Sequence, residues 1–143
     1  MRPTYETEEQ RGREQKVADF IAAKWKCSMH KLPVRYNLDY IAMRSEIGVA
    51  FCEIKSRRFT LDEMDRMGGY FLSLGKWAAA RDLCVSAKLP FLLAVETADG
   101  LWSRLFTEFL PPPVILWGRK DRGDWQDMEP SVVLKCCDFK RIA

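Results

Sequence analysis

Histidine is nearly absent from this chain: among 143 residues there is only His30. A histidine-based triad would have to use it, and no serine or cysteine sits in an elbow-type motif, so triad hydrolysis is excluded. His30 lies in a polar patch between the first expected helix and the first expected strand, and reads as a surface residue. Paired Cys-x-x-Cys spacing is also missing. The five cysteines, Cys27, Cys52, Cys84, Cys136 and Cys137, are odd in number and scattered through mostly apolar runs. That pattern excludes a zinc ribbon and implies reduced core thiols. There is no Walker or dinucleotide-binding glycine pattern, no internal repeat and no low-complexity segment. No run approaches the roughly 20 apolar residues of a membrane span. The N-terminus is charged, so no signal peptide is expected, and a cytoplasmic protein without a membrane partner is the expectation. The net charge is only +3, which argues against a polybasic wrapper of nucleic acid.

What the chain has is enough apolar material, 48%, to bury a full core without a disulfide or metal staple. One domain over residues 1–143 is expected. From about Glu6 to Trp25 there is no proline, and Val17, Phe20, Ile21 and Trp25 recur at helical spacing. Thr60-Leu61-Asp62-Glu63 has the form of a capping box, opening a short helix that Gly68-Gly69 interrupts. A further helix is predicted from Tyr70 to about Ala87, with Leu72, Lys76, Ala79, Ala80 and Leu83 on one face. Pro90 to Val95 reads as a core strand, Asp99-Gly100 as a hairpin turn, and Leu101 to Phe106 as the returning partner. Val114 to Trp117 is expected to be a strand after the rigid Pro111-Pro112-Pro113, and Val132 to Lys135 an edge strand. Composition and pattern together give an α/β (α+β) class.

The most informative run is Val49-Ala50-Phe51-Cys52-Glu53-Ile54-Lys55. It is apolar on both faces until its last three residues, the pattern of a strand in the middle of a sheet. Side chains alternate, so Glu53 and Lys55 share one face while Cys52 and Ile54 share the other. A carboxylate and an ammonium at the end of a core strand are costly to desolvate unless something compensates them. A metal ion, or a phosphate that comes with one, is such a compensation, and Asp39 upstream supplies a second carboxylate.

Asp39…Glu53-Ile54-Lys55 resembles the signature of the PD-(D/E)xK nuclease superfamily, with Leu38 standing where the family name has proline. The resemblance implies a central mixed β-sheet flanked by helices, a restriction-endonuclease-like core, and Mg²⁺ (or Mn²⁺)-dependent hydrolysis of phosphodiester bonds. It implies that Asp39, Glu53 and the backbone carbonyl of Ile54 are metal ligands and that Lys55 is the catalytic lysine. Nucleic acid is the implied substrate, DNA ahead of RNA. A homodimer would suit duplex or junction cutting, and a monomer nicking. The tail and the stretch Ser73-Leu74-Gly75-Lys76-Trp77 also resemble small phage proteins carrying the same signature. The alternative is a catalytically silent module of the same fold that binds DNA or assembles with protein.

Other residues extend this reading. Glu14 continues the apolar stripe of the first helix. It is either a solvated rim residue or the third carboxylate that a helix glutamate supplies in the junction-resolving members of the superfamily. Lys76 either snorkels to water or reaches the scissile phosphate. Arg57 and Arg58 directly follow the active strand, as a solvated loop or as sequence-blind phosphate contacts. The tryptophans are expected in the core rather than as stacking platforms. The stretch Gly118 to Pro130, with Arg119 to Asp124 and Trp125, reads as a turn-rich contact loop.

Overall fold

The computed structural model describes residues 7–118 and 128–143; the basic stretch Arg119 to Asp124 and Trp125 lie outside them. Helix α1 (Glu8–Trp25) precedes β1 (Ser28–Lys31), β2 (Tyr40–Arg44) and β3 (Ile47–Ser56). Then come α2 (Leu61–Arg66), β4 (Tyr70–Ser73), α3 (Leu74–Ala87), β5 (Phe91–Thr97) and β6 (Gly100–Phe106). The chain closes with β7 (Val114–Gly118), β8 (Met128–Leu134) and the short β9 (Lys140–Arg141). A six-stranded sheet runs β1-β2-β3-β5-β6-β9, and a three-stranded sheet runs β4-β8-β7. Among the described residues only β3 and β5 pair in parallel, and the other pairings are antiparallel. A parallel pair needs a crossover, and here residues 57–90 supply it with α2, β4 and α3. The result is the expected α+β architecture with a mixed central sheet.

The doubly apolar runs explain the layering. Phe51, Phe91, Leu93 and Val95 face one core, which α3 and the small sheet cover with Trp77, Tyr70, Leu72 and Val132. Cys52, Ile54, Leu92 and Ala94 face a second core, closed by Val17, Ala18 and Ile21 of α1. Strand β5 is therefore buried on both sides, and each fully buried large side chain there contributes roughly 1.5–3 kcal/mol. Helix α1 is fixed at both ends. Thr7 and Gln10 form a reciprocal capping box, and Arg44 of β2 donates to the terminal carbonyls of Trp25 (2.6 Å) and Lys26 (3.3 Å).

Several expectations are corrected. Tyr70–Ser73 is a strand, not the first turn of a helix. Gly69, at φ +131, lets the backbone approach Leu134 so closely that a Cβ there would lie 2.7 Å from the Leu134 carbonyl oxygen. That approach sets Tyr70 opposite Leu134 on β8. Leu72 is consequently a strand residue, and only from Ser73, which caps Lys76 N–H at 3.2 Å, does α3 begin. The segment Val132 to Leu134 is not an edge: β8 lies between β4 and β7. His30 is exposed, but it sits on β1 itself, a strand the pattern did not reveal. Phe20 turns away from the α1 stripe and is 38% exposed. Cys137 is exposed, unlike buried Cys52, Cys84 and Cys136. Trp77 is buried and Trp25 and Trp102 are partly so.

Candidate active site

The site forms where β2 and β3 part. Their register begins with Tyr40 opposite Cys52, so Glu53 to Ser56 run past the end of β2 and stay paired only with β5. The N–H of Ile54 falls in this gap, and the Asp39 carboxylate fills it, Oδ2 accepting from Ile54 N–H at 2.8 Å. Asp39 is held for this by its neighbours: Leu38 is buried, and the Asp39 carbonyl accepts from Leu32 N–H at 2.8 Å. A ladder bond lost to backbone is thereby replaced by one to a carboxylate, which also brings Asp39 beside Glu53.

Glu53 is 1% exposed. Its Oε1 lies 3.1 Å from Lys76 Nζ and 3.5 Å from Lys55 Nζ. Its Oε2 is buried and has no hydrogen-bond partner among the described residues. Burial first, then the negative charge of Asp39, pushes its pKa from 4.5 up to about 7, against the pull of Lys55 and Lys76. Lys76 reaches Glu53 from the first turn of α3 and also donates to the Asn37 carbonyl at 2.8 Å. It thus ties the helix to the loop that leads into Asp39.

Glu14 enters from α1, with its side chain 14% exposed, and meets the Lys31 ammonium at 2.5 Å. The same ammonium is 3.6 Å from Asp39 Oδ1 and 5.0 Å from the centre of the Tyr40 ring. Burial alone would lower the Lys31 pKa, but the hydrogen bond to Glu14 and the charge of Asp39 outweigh it and raise it. Burial and Glu14 together push Tyr40 up to about 12.

Glu14, Asp39, Glu53, Ile54, Lys55, Arg57, Arg58 and Lys76 all line one open cleft of about 730 Å³. Every candidate named from the sequence is therefore brought to the same place. Arg57 sits with its guanidinium 5.2 Å from the Tyr70 ring centre, and Arg58 lies 5.4 Å from that of Phe59. An adjoining cleft of about 530 Å³ shares Lys55, Arg57 and Lys76 as its wall, so these three cations form a ridge between two grooves. What the structure does not form is a ready cage. Among the described residues, no three His, Cys, Asp or Glu side chains are gathered closely enough to hold a metal ion as they stand. Lysines are interposed between the carboxylates. Lys31 and Arg13, which also line or flank this region, were not singled out from the sequence. No spacing rule links them to Asp39.

The donor chemistry nevertheless suits a hard divalent cation. The oxygens of Asp39 and Glu53 are all-oxygen ligands of the kind Mg²⁺ and Mn²⁺ take. Glu53 Oε2 is a buried acceptor that no group among the described residues satisfies. The mixed sheet, its flanking helices and an Asp/Glu/Lys cleft at the end of the parallel pair define a fold of the PD-(D/E)xK nuclease type. The chain belongs to the phage putative PDDEXK endonuclease family, whose model matches residues 1–142. No curated protein matches it.

Proposed function

We propose that this protein is a metal-dependent endonuclease that hydrolyses phosphodiester bonds of DNA. The observation that carries this reading is Glu53: a buried carboxylate with one unsatisfied oxygen, beside Asp39, on the floor of a cleft rimmed by cations. Asp39 and Glu53, the Ile54 carbonyl and Glu14 as third carboxylate are the groups that would hold Mg²⁺ or Mn²⁺. When bound, such an ion supplies Lewis-acid polarisation of the phosphoryl oxygen. Lys55, on the same strand face as Glu53, orients the attacking water and offsets the charge that develops on the phosphoryl oxygens. Lys76, 3.1 Å from Glu53, keeps that carboxylate aimed and stands ready for a phosphate on the ridge. Arg57 and Arg58 hold flanking phosphates without reading sequence.

A second reading rests on a specific observation. Each carboxylate already has an ammonium partner, as in an ion-pair network of a silent DNA-binding or assembly module. A cleavage panel separates the two: supercoiled plasmid, linear duplex, single strand, four-way junction and RNA, each with Mg²⁺, Mn²⁺ or chelator. Metal-dependent scission of a DNA substrate is the expected result. Binding without scission under every condition would establish the silent module instead.

A further inference from the structure

Three of the four carboxylate oxygens of Asp39 and Glu53 are already engaged. Asp39 Oδ2 accepts from the Ile54 N–H, a bond the end of the β2–β3 ladder needs. Glu53 Oε1 is shared by Lys55 and Lys76. Asp39 Oδ1 faces Lys31 at 3.6 Å, and Lys31 simultaneously holds Glu14 at 2.5 Å. One ammonium therefore sits between the two outer carboxylates of the cleft. We propose that Lys31 is a built-in counter-ion of the metal site, standing where a divalent cation must act on Asp39 and Glu14, so that metal loading requires its release.

The contrast among the lysines supports this assignment. The Lys76 side chain is 20% exposed and anchored on the Asn37 carbonyl. The Lys31 side chain is 50% exposed, while the carboxylates it bridges are only 14% and 17% exposed. A half-exposed ion pair stabilises a fold little, and a lysine on a flexible stem can swing into water at small cost. Lys31 is thus the exchangeable cation of the site, placed on edge strand β1 opposite Tyr40. Its release couples the availability of Asp39 and Glu14 to the divalent cation concentration. A lower metal affinity than the same carboxylates alone would give is the consequence.

This inference rests on the metal-dependent reading, and the test keeps the two apart. Mn²⁺ is titrated calorimetrically into the metal-stripped full chain, its Lys31→Met and Lys31→Arg variants, and Arg13→Met. Arg13 lines the same cleft but pairs with Glu9 at 2.7 Å, so its removal changes the net charge equally without vacating Asp39. Lys31→Met is expected to tighten Mn²⁺ about tenfold and Arg13→Met less than about threefold. Lys31→Arg should weaken it, because a guanidinium fork grips paired carboxylates harder than an ammonium. Equal effects of Lys31→Met and Arg13→Met, or none from Lys31→Met while the parent binds Mn²⁺, would overturn the counter-ion role and leave the metal site standing. Absence of binding in all four proteins would remove the metal-dependent reading and the counter-ion with it. Melting of each variant, read beforehand in chelator, checks that the fold is intact.

Discussion

Replacing Glu53 by glutamine should make the metal-free protein more stable at alkaline pH. Glu53 is 1% exposed, and its pKa rises from 4.5 to about 7, chiefly through burial. The folded state therefore holds the proton more tightly than the unfolded chain does. The group favours folding fully below about pH 4.5, and that contribution is lost as pH rises through about 7. A change from 4.5 to about 7 corresponds to on the order of 3 kcal/mol. At pH 8 the parent bears this cost and the isosteric Glu53→Gln does not. The attraction of Lys55 and Lys76 already opposes the rise, so their loss of a charged partner does not enter twice. The variant should melt on the order of 10 °C higher than the parent at pH 8, with the gap closing toward pH 4.5. Saturating Mg²⁺ should shrink or reverse the gap, because only the parent gains stability by binding it. Scanning calorimetry of the stripped proteins at several pH values, with and without Mg²⁺, reads both effects. A variant less stable than the parent at pH 8, or a gap that ignores pH, would refute the reasoning. It would mean that the ion pairs of Glu53 with Lys55 and Lys76 outweigh its desolvation.

Other changes have equally definite outcomes. Asp39→Ala leaves the Ile54 N–H without its acceptor and should cost about 1–3 kcal/mol in urea unfolding. Asp39→Asn keeps an acceptor oxygen and should fold nearly as well while losing Mn²⁺ affinity. Arg57→Gln and Arg58→Gln should each lower the slope of log binding constant against log salt for duplex DNA by about 1; an unchanged slope would place these residues off the phosphate path. Gly69→Ala, which needs φ +131 and puts a Cβ 2.7 Å from the Leu134 carbonyl, should destabilise the chain by roughly 2 kcal/mol or more and detach β4 from β8.

How much of this was legible depends on how local each signal is. The buried run ending in Glu53 and Lys55 declares its strand and its face, because a doubly apolar stretch ending in charges has few other homes. The Asp99-Gly100 turn and the stripe of α1 are similarly local. Tyr70–Ser73 reads as helix from the sequence because so short a segment has no period to distinguish strand from helix. Its partner, β8, lies more than fifty residues away. The segment Val132 to Lys135 reads as an edge because nothing local declares its partners; in the fold β8 pairs with β4 on one side and with β7 on the other. Strand β1 is an edge strand of four residues with little burial, and its sequence alternates nothing. Lys31 escaped notice for the same reason: its meeting with Glu14 and Asp39 is created by strand pairing and helix packing. Asp39, Glu53 and Lys55 are legible as a signature and Lys76 as a candidate beyond it; Lys31, interposed between Glu14 and Asp39, is not.

The central claim is that Glu53 is there for chemistry and not for stability. The most direct measurement is the scission rate of supercoiled plasmid in Mg²⁺ by the parent and by Glu53→Gln, purified identically and each shown to be folded. The account predicts a variant that is the more stable protein in chelator and yet cuts at least about a thousandfold more slowly, the loss expected when a ligand of the reacting centre is removed. A variant that cuts within tenfold of its parent, or a parent that cuts no better than its variant, would contradict it.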